Sequence, residues 1–89
     1  MSEIKVEVPT QEKLDSLGVK SWSPWECEPS TFDWEYSANE TAYVLEGRVK
    51  VKTAQGEVEI KKGDLVYFPK GLKCTWKVIE RISKVYSFS

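Results

Sequence analysis

Glu40 and Cys74 are the side chains whose type and setting offer this sequence its chemistry. A carboxyl group among apolar neighbours can serve as general acid, general base or hydrogen-bond anchor for an N–H group. A thiol on an inward strand face is a nucleophile if it ionises and a small apolar filler if it does not. Strand alternation places Cys74 with Trp76 and Val78 on one face, away from Lys73, Thr75 and Lys77, and groups Glu40 with Ala42 and Val44 in the same way. What the chain lacks narrows the field further, because it contains no histidine. No Ser-His-Asp triad, Cys-His dyad or histidine zinc helix can be built, and no unperturbed side chain titrates near neutral pH.

The remaining composition bounds the fold and its partners. The 89 residues are 40% hydrophobic and 30% charged with a net charge of −1, which describes one folded domain over 1–89 rather than a disordered chain. Cys27 and Cys74 make a single pair, not a disulfide framework, so both are expected as free thiols. Balanced charge and only two arginines, Arg48 and Arg81, argue against nucleic acid as a partner. Lys61, Lys62, Lys70, Lys73 and Lys77 are interleaved with Glu57, Glu59 and Asp64 and are expected on a solvated outer face. The alternating run Met1–Val8 and the absence of any long apolar stretch predict a cytoplasmic protein with no membrane partner.

The elements that must position Glu40 and Cys74 are almost all strands. One short helix is predicted at Gln11–Leu17, with Thr10 as its N-cap and Gly18 as its stop. From Trp25 onward, glycines at 47, 56, 63 and 71 punctuate runs rich in Val, Ile, Tyr, Phe and Trp. Val49 and Val51 alternate with Arg48, Lys50 and Lys52, Val58 and Ile60 alternate with Glu57, Glu59 and Lys61, and Ala54-Gln55-Gly56 closes the two runs into a hairpin. With Leu65–Phe68, Lys73–Val78 and Ile82–Phe88 the count reaches about eight strands, enough for a sandwich or a closed barrel. Trp22, Trp25 and Phe32 precede that barrel and are expected against its side or at a homodimer contact.

Two runs carry a family resemblance. Glu40 to Gly47 resembles the end of the first cupin motif, in which a Glu stands seven positions before a Gly, and Gly63 to Cys74 resembles the second, G-x5-P-x-G-x2-H, through Gly63, Pro69 and Gly71. In these motifs Gly47, Gly63 and Gly71 are expected at tight turns requiring positive φ. The chain is therefore identified as similar to a small cupin of the cupin-3 group, related to ureidoglycine aminohydrolase. That resemblance implies an all-β fold, a small cupin-type β-barrel or jelly roll, with one short N-terminal helix.

Cupins commonly hold a divalent metal with histidines and a glutamate, and the resemblance implies where those ligands would stand. In one register the first-motif histidines become Asp33 and Glu35; in the other they become Trp34 and Tyr36, which suit an interior better than unpaired carboxylates. The second motif's histidine becomes Cys74. A metal would then find Glu40 and Cys74 as its strong ligands, fewer than a catalytic zinc takes, so no cofactor is expected. With no cation on its face, Cys74 is expected to be an unreactive thiol. The expected function is binding of a small polar or NH-rich metabolite, cations included, in a pocket formed by Glu40, Cys74, Trp34, Tyr36, Trp76 and Phe68. The alternative implied by the resemblance is an enzyme acting on C–N bonds through a non-standard metal site.

Overall fold

Thr10 and Gly18 bound the helix where the sequence places them. In the computed structural model, which describes residues 4–88, α1 spans Gln11–Leu17. The Thr10 hydroxyl accepts the Lys13 backbone N–H at 3.1 Å. Gly18 turns into the left-handed region at φ 71° and donates its N–H to the Leu14 and Asp15 carbonyls, satisfying carbonyls that the helix end would leave open. Leu14 is the buried residue that docks the helix.

Among the described residues, seven antiparallel strands follow the expected pattern of short runs and turns: β1 (Lys5–Glu7), β2 (Ser23–Cys27), β3 (Thr31–Glu35), β4 (Glu40–Thr53), β5 (Gly56–Lys61), β6 (Leu65–Phe68) and β7 (Lys73–Phe88). The long strands β4 and β7 pair with each other along most of their length. On its outer flank β4 takes β6 at its first part and β5 at its second. Likewise β7 takes β3 and then β2, while β1 closes onto β6. The predicted eight strands become seven because the runs 73–78 and 82–88 are one strand. Glu80 and Arg81 interrupt the apolar alternation with two exposed charges, yet Arg48 stays opposite Glu80 in the ladder and meets its carboxylate at 3.2 Å.

Gly47 departs from expectation in an informative way. It lies inside β4 rather than in a turn, at φ 92°. A Cβ there would stand 2.1 Å from the Arg81 carbonyl oxygen of β7, so only glycine lets the two strands approach. The β4–β7 register shifts around this point. Before it the buried positions of β4 are Glu40, Ala42 and Val44; after it they are Val49 and Val51. A bulge that changes parity is what allows one long strand to face the core at both ends.

The core is built from Val44, Val49, Val51, Ile60, Leu65, Val66, Phe68 and Ile82, all essentially inaccessible to solvent. Beside it the turn after β6 is tied to the segment that carries Tyr36: the Tyr36 N–H donates to the Leu72 carbonyl, the Gly71 N–H to the Tyr36 carbonyl, and the Lys70 N–H to Asn39 Oδ1. Those bonds fix the segment that enters β4 at Glu40. The lysines at 61, 62, 70, 73 and 77 are exposed, as expected. Among the described residues, no helix is long and apolar enough to cross a membrane.

Candidate functional site

Register brings the aromatic residues together. Phe32 of β3 lies directly opposite Trp76 of β7, and Trp25 of β2 lies directly opposite Lys84. The Phe32 and Trp76 rings stack at 6.1 Å and 18°, and Trp25 meets Trp76 edge-on at 5.8 Å. Tyr36 stacks on Phe68 at 4.7 Å and 9°, with Phe68 in turn 5.8 Å from Trp76. Beside these rings lies a partly open cavity of about 270 Å³ lined by Trp25, Phe32, Trp34, Tyr36 and Trp76, by Tyr86 and Phe88 from the end of β7, and by Glu40 and Lys84. Trp25 and Phe32 therefore wall the cavity rather than covering the outside of the barrel.

Lys84 is the functional residue that the sequence reading passes over. It follows Ile82 and precedes Tyr86 on the inward face of β7, and its Nζ donates to Glu40 Oε2 at 2.6 Å. Both side chains are almost wholly buried, 7% and 6% exposed. The two do not face each other across the ladder: Lys84 is opposite Val44, four positions along β4 from Glu40, so both long side chains reach along the interior to meet. Around the ammonium stand the rings of Trp76 at 4.8 Å, Trp25 at 5.1 Å, and Phe68 and Tyr86 at 5.6 Å, each presenting its electron-rich face to the cation. Burial nevertheless pushes Lys84 below the ordinary lysine range, with Glu40 pulling the other way.

Of the expected pocket residues, Trp34, Tyr36, Glu40 and Trp76 line the cavity, whereas Phe68 and Cys74 do not. Phe68 is the buried layer beneath Tyr36. Cys74 opens instead toward a shallow surface groove with Asp33, Glu35 and Lys52. Its thiol lies opposite Trp34 in the ladder and donates to the Trp34 carbonyl at 3.6 Å. Burial pushes the thiol above its ordinary range, and the charges of Asp33 and Glu40 add to that. The expectation that no cation shares the face of Cys74 is corrected by Lys84, which acts on the thiol in the opposite, weaker sense. The buried Trp76 indole nitrogen has no hydrogen-bond partner in good geometry, although its N–H lies near enough to influence Tyr36 and Cys74.

These features sit in a recognisable lineage. A model of the EutQ-like cupin domain matches residues 14–86. The chain belongs to the EutQ-like cupin family. A DUF861 family protein from Thermotoga maritima, seen in a crystal structure, is 55% identical and superposes with a TM-score of 0.95 over 98% of this chain and 100% of that one. The Clostridium difficile EutQ protein shares the fold, with a TM-score of 0.67 at 23% identity over 96% of this chain and 66% of that one. The curated relative "Acetate kinase EutQ" of Clostridioides difficile (strain 630) is 30% identical over 61 residues, which are 68% of this chain and 39% of that protein. This chain thus matches about two fifths of the length of that relative.

The divalent metal that the cupin fold implies does not suit this donor set. Of the two registers, the one expected to place Trp34 and Tyr36 inside is met at Tyr36 and not at Trp34: Tyr36 is buried, while Trp34 is exposed along with Asp33 and Glu35. Burial holds the Tyr36 phenol protonated, with the nearby Glu40 adding to the effect. Trp34 is 51% exposed and has an N–H donor but no lone pair to offer a metal. Cys74 is bonded toward Trp34, and Glu40 holds an ammonium. Among the described residues, no three His, Cys, Asp or Glu side chains gather as a metal site. At Glu40 the positive charge comes from Lys84.

Proposed function

We propose that this cupin binds a small carbonyl-bearing molecule with an apolar body, its oxygen accepting from Lys84 and an adjacent N–H, where present, donating to Glu40. The observation that carries this reading is the Lys84–Glu40 pair, 2.6 Å apart in a cavity otherwise walled mainly by aromatic rings. An ammonium has three donors, and one is directed at Glu40 Oε2. Glu40 Oε1 accepts no hydrogen bond among the described residues. A donor and an acceptor therefore stand side by side, complementary to an amide or ureide. The cavity volume of about 270 Å³ lies just under the roughly 300–1,000 Å³ of ordinary ligand clefts, which selects for a small occupant. A free organic cation is disfavoured relative to the sequence expectation, because the Lys84 ammonium already occupies the aromatic cage. Metal-dependent C–N bond cleavage finds no support in the donors around Glu40.

Benzamide, phenylurea and benzylamine distinguish these ligand classes in a thermal-shift and NMR titration. Benzamide and phenylurea are expected to raise Tm and to move the Trp25 and Trp76 indole resonances, with benzylamine weaker. Glu40→Gln should weaken benzamide binding by about tenfold, the scale of one hydrogen bond to a charged group. If no amide or ureide in a broad panel moves those resonances, the reading falls.

A further inference from the structure

The geometry points to a covalent role for Lys84: its Nζ forms a reversible imine with a small aldehyde or ketone held in the cavity. This rests on the reading of the cavity as a ligand site and adds bond formation to it. Lys84 lines the cavity, and its Nζ meets Glu40, another of the lining residues, at 2.6 Å. The partner at 2.6 Å is a carboxylate. One proton passed along that hydrogen bond turns ammonium and carboxylate into amine and carboxylic acid without changing the net charge of the pair. Burial strips hydration from the Lys84 ammonium and so favours its amine form, while Glu40 and the surrounding rings hold the ammonium at rest. The neutral couple is what imine formation uses, a nucleophilic amine beside a general acid.

The step balances within the pair and the ligand. The nitrogen lone pair forms the C–N bond as the carbonyl π electrons move to oxygen, which gains the proton released by nitrogen through the Glu40 carboxyl. Glu40 then protonates the carbinolamine hydroxyl, the C–O bond breaks and water leaves. The nitrogen lone pair closes the C=N bond, giving an iminium beside the Glu40 carboxylate. The positive charge has returned to the place it started, inside rings that stand 4.8 to 5.6 Å from Nζ. The cage that surrounds the ammonium thus serves the product equally well. The other candidate nucleophile nearby, the Cys74 thiol, lies outside the cavity lining.

The test treats the intact protein with benzaldehyde and borohydride, which delivers hydride to the iminium carbon and leaves a stable secondary amine. Peptide mapping by mass spectrometry then locates the N-benzyl group. One modification per chain is expected, at Lys84 and ahead of exposed lysines such as Lys52, Lys61 and Lys70. Labelling confined to surface lysines, or none, overturns the proposal. Benzyl alcohol, which fills the same space and cannot form an imine, is titrated in parallel by NMR. Alcohol binding without Lys84 trapping removes the imine and leaves the ligand site standing, whereas failure of both removes the imine, and the ligand site then falls only if the amides and ureides fail as well. Lys84→Arg retains a cation for Glu40 and has no comparable nucleophile, so trapping at this position should be lost while exposed lysines still label.

Discussion

Lys13–Glu7 and Lys84–Glu40 are ion pairs of nearly the same length, 2.7 and 2.6 Å, in opposite surroundings. The first joins α1 to β1 with side chains 41% and 40% exposed; the second lies inside the barrel at 7% and 6%. Glu7 also accepts the Tyr67 hydroxyl at 2.8 Å. Its bond to Lys13 holds that lysine above its ordinary range, while burial holds Lys84 below it despite Glu40. Distance alone therefore says little about what a pair does. Water already solvates the surface pair in either state, so joining or parting its members changes little. In the cavity each charge depends on the other and on the rings, and a proton, a ligand or a substitution there alters the balance for the whole pocket.

The largest effect should come from removing one member of the inner pair. Lys84→Met leaves Glu40 alone in the barrel, and urea denaturation should show a loss of about 3–5 kcal/mol, the usual cost of an orphaned buried charge. Replacing both members, as Lys84→Met with Glu40→Leu, removes the charges together. That double variant should recover most of the loss and end within about 1 kcal/mol of the parent or above it, because apolar substitutes often match a buried pair. A double variant no more stable than the single one would show that packing rather than charge governs this end of the barrel. At the surface pair, Lys13→Met should leave the urea midpoint close to that of the parent.

The same contrast explains which parts of the structure were legible in the sequence. Thr10, Gly18 and the Ala54-Gln55-Gly56 turn act within a few residues of themselves, so local chemistry identifies them. Glu40, Tyr36 and Trp76 follow from alternation combined with the cupin motifs. Lys84 obeys the same alternation, between Ile82 and Tyr86, but lysine is so rarely buried that the pattern alone directs a reader outward. Only its partner, 44 residues away, makes an inward lysine sensible, and nothing local announces that partnership. Trp25 and Phe32 depend in the same way on their register with β7, and Cys74 on which side of Trp34 the thiol turns. The change of parity at Gly47 is also long-range, since its cause is the Arg81 backbone on another strand.

Alkaline titration offers a finer separation of the two lysines, through opposite signs. The folded chain holds Lys84 below the ordinary lysine value of 10.5, so between the folded and unfolded values the unfolded chain binds more protons. Stability linked to Lys84 therefore rises with pH in that window and levels off above the unfolded value. Lys13 is held above 10.5, so its contribution is present below that value and is lost as pH climbs through the raised one. The stability of the parent relative to Lys84→Met should thus increase toward alkaline pH, at no more than about 1.4 kcal/mol per pH unit for a single proton. The parent relative to Lys13→Met should show a much shallower trend downward, at higher pH. Urea midpoints collected from neutral pH upward measure both slopes in parallel. If the two slopes share a sign, burial does not separate these pairs, and the cavity's claim to a distinct amine chemistry loses its physical basis.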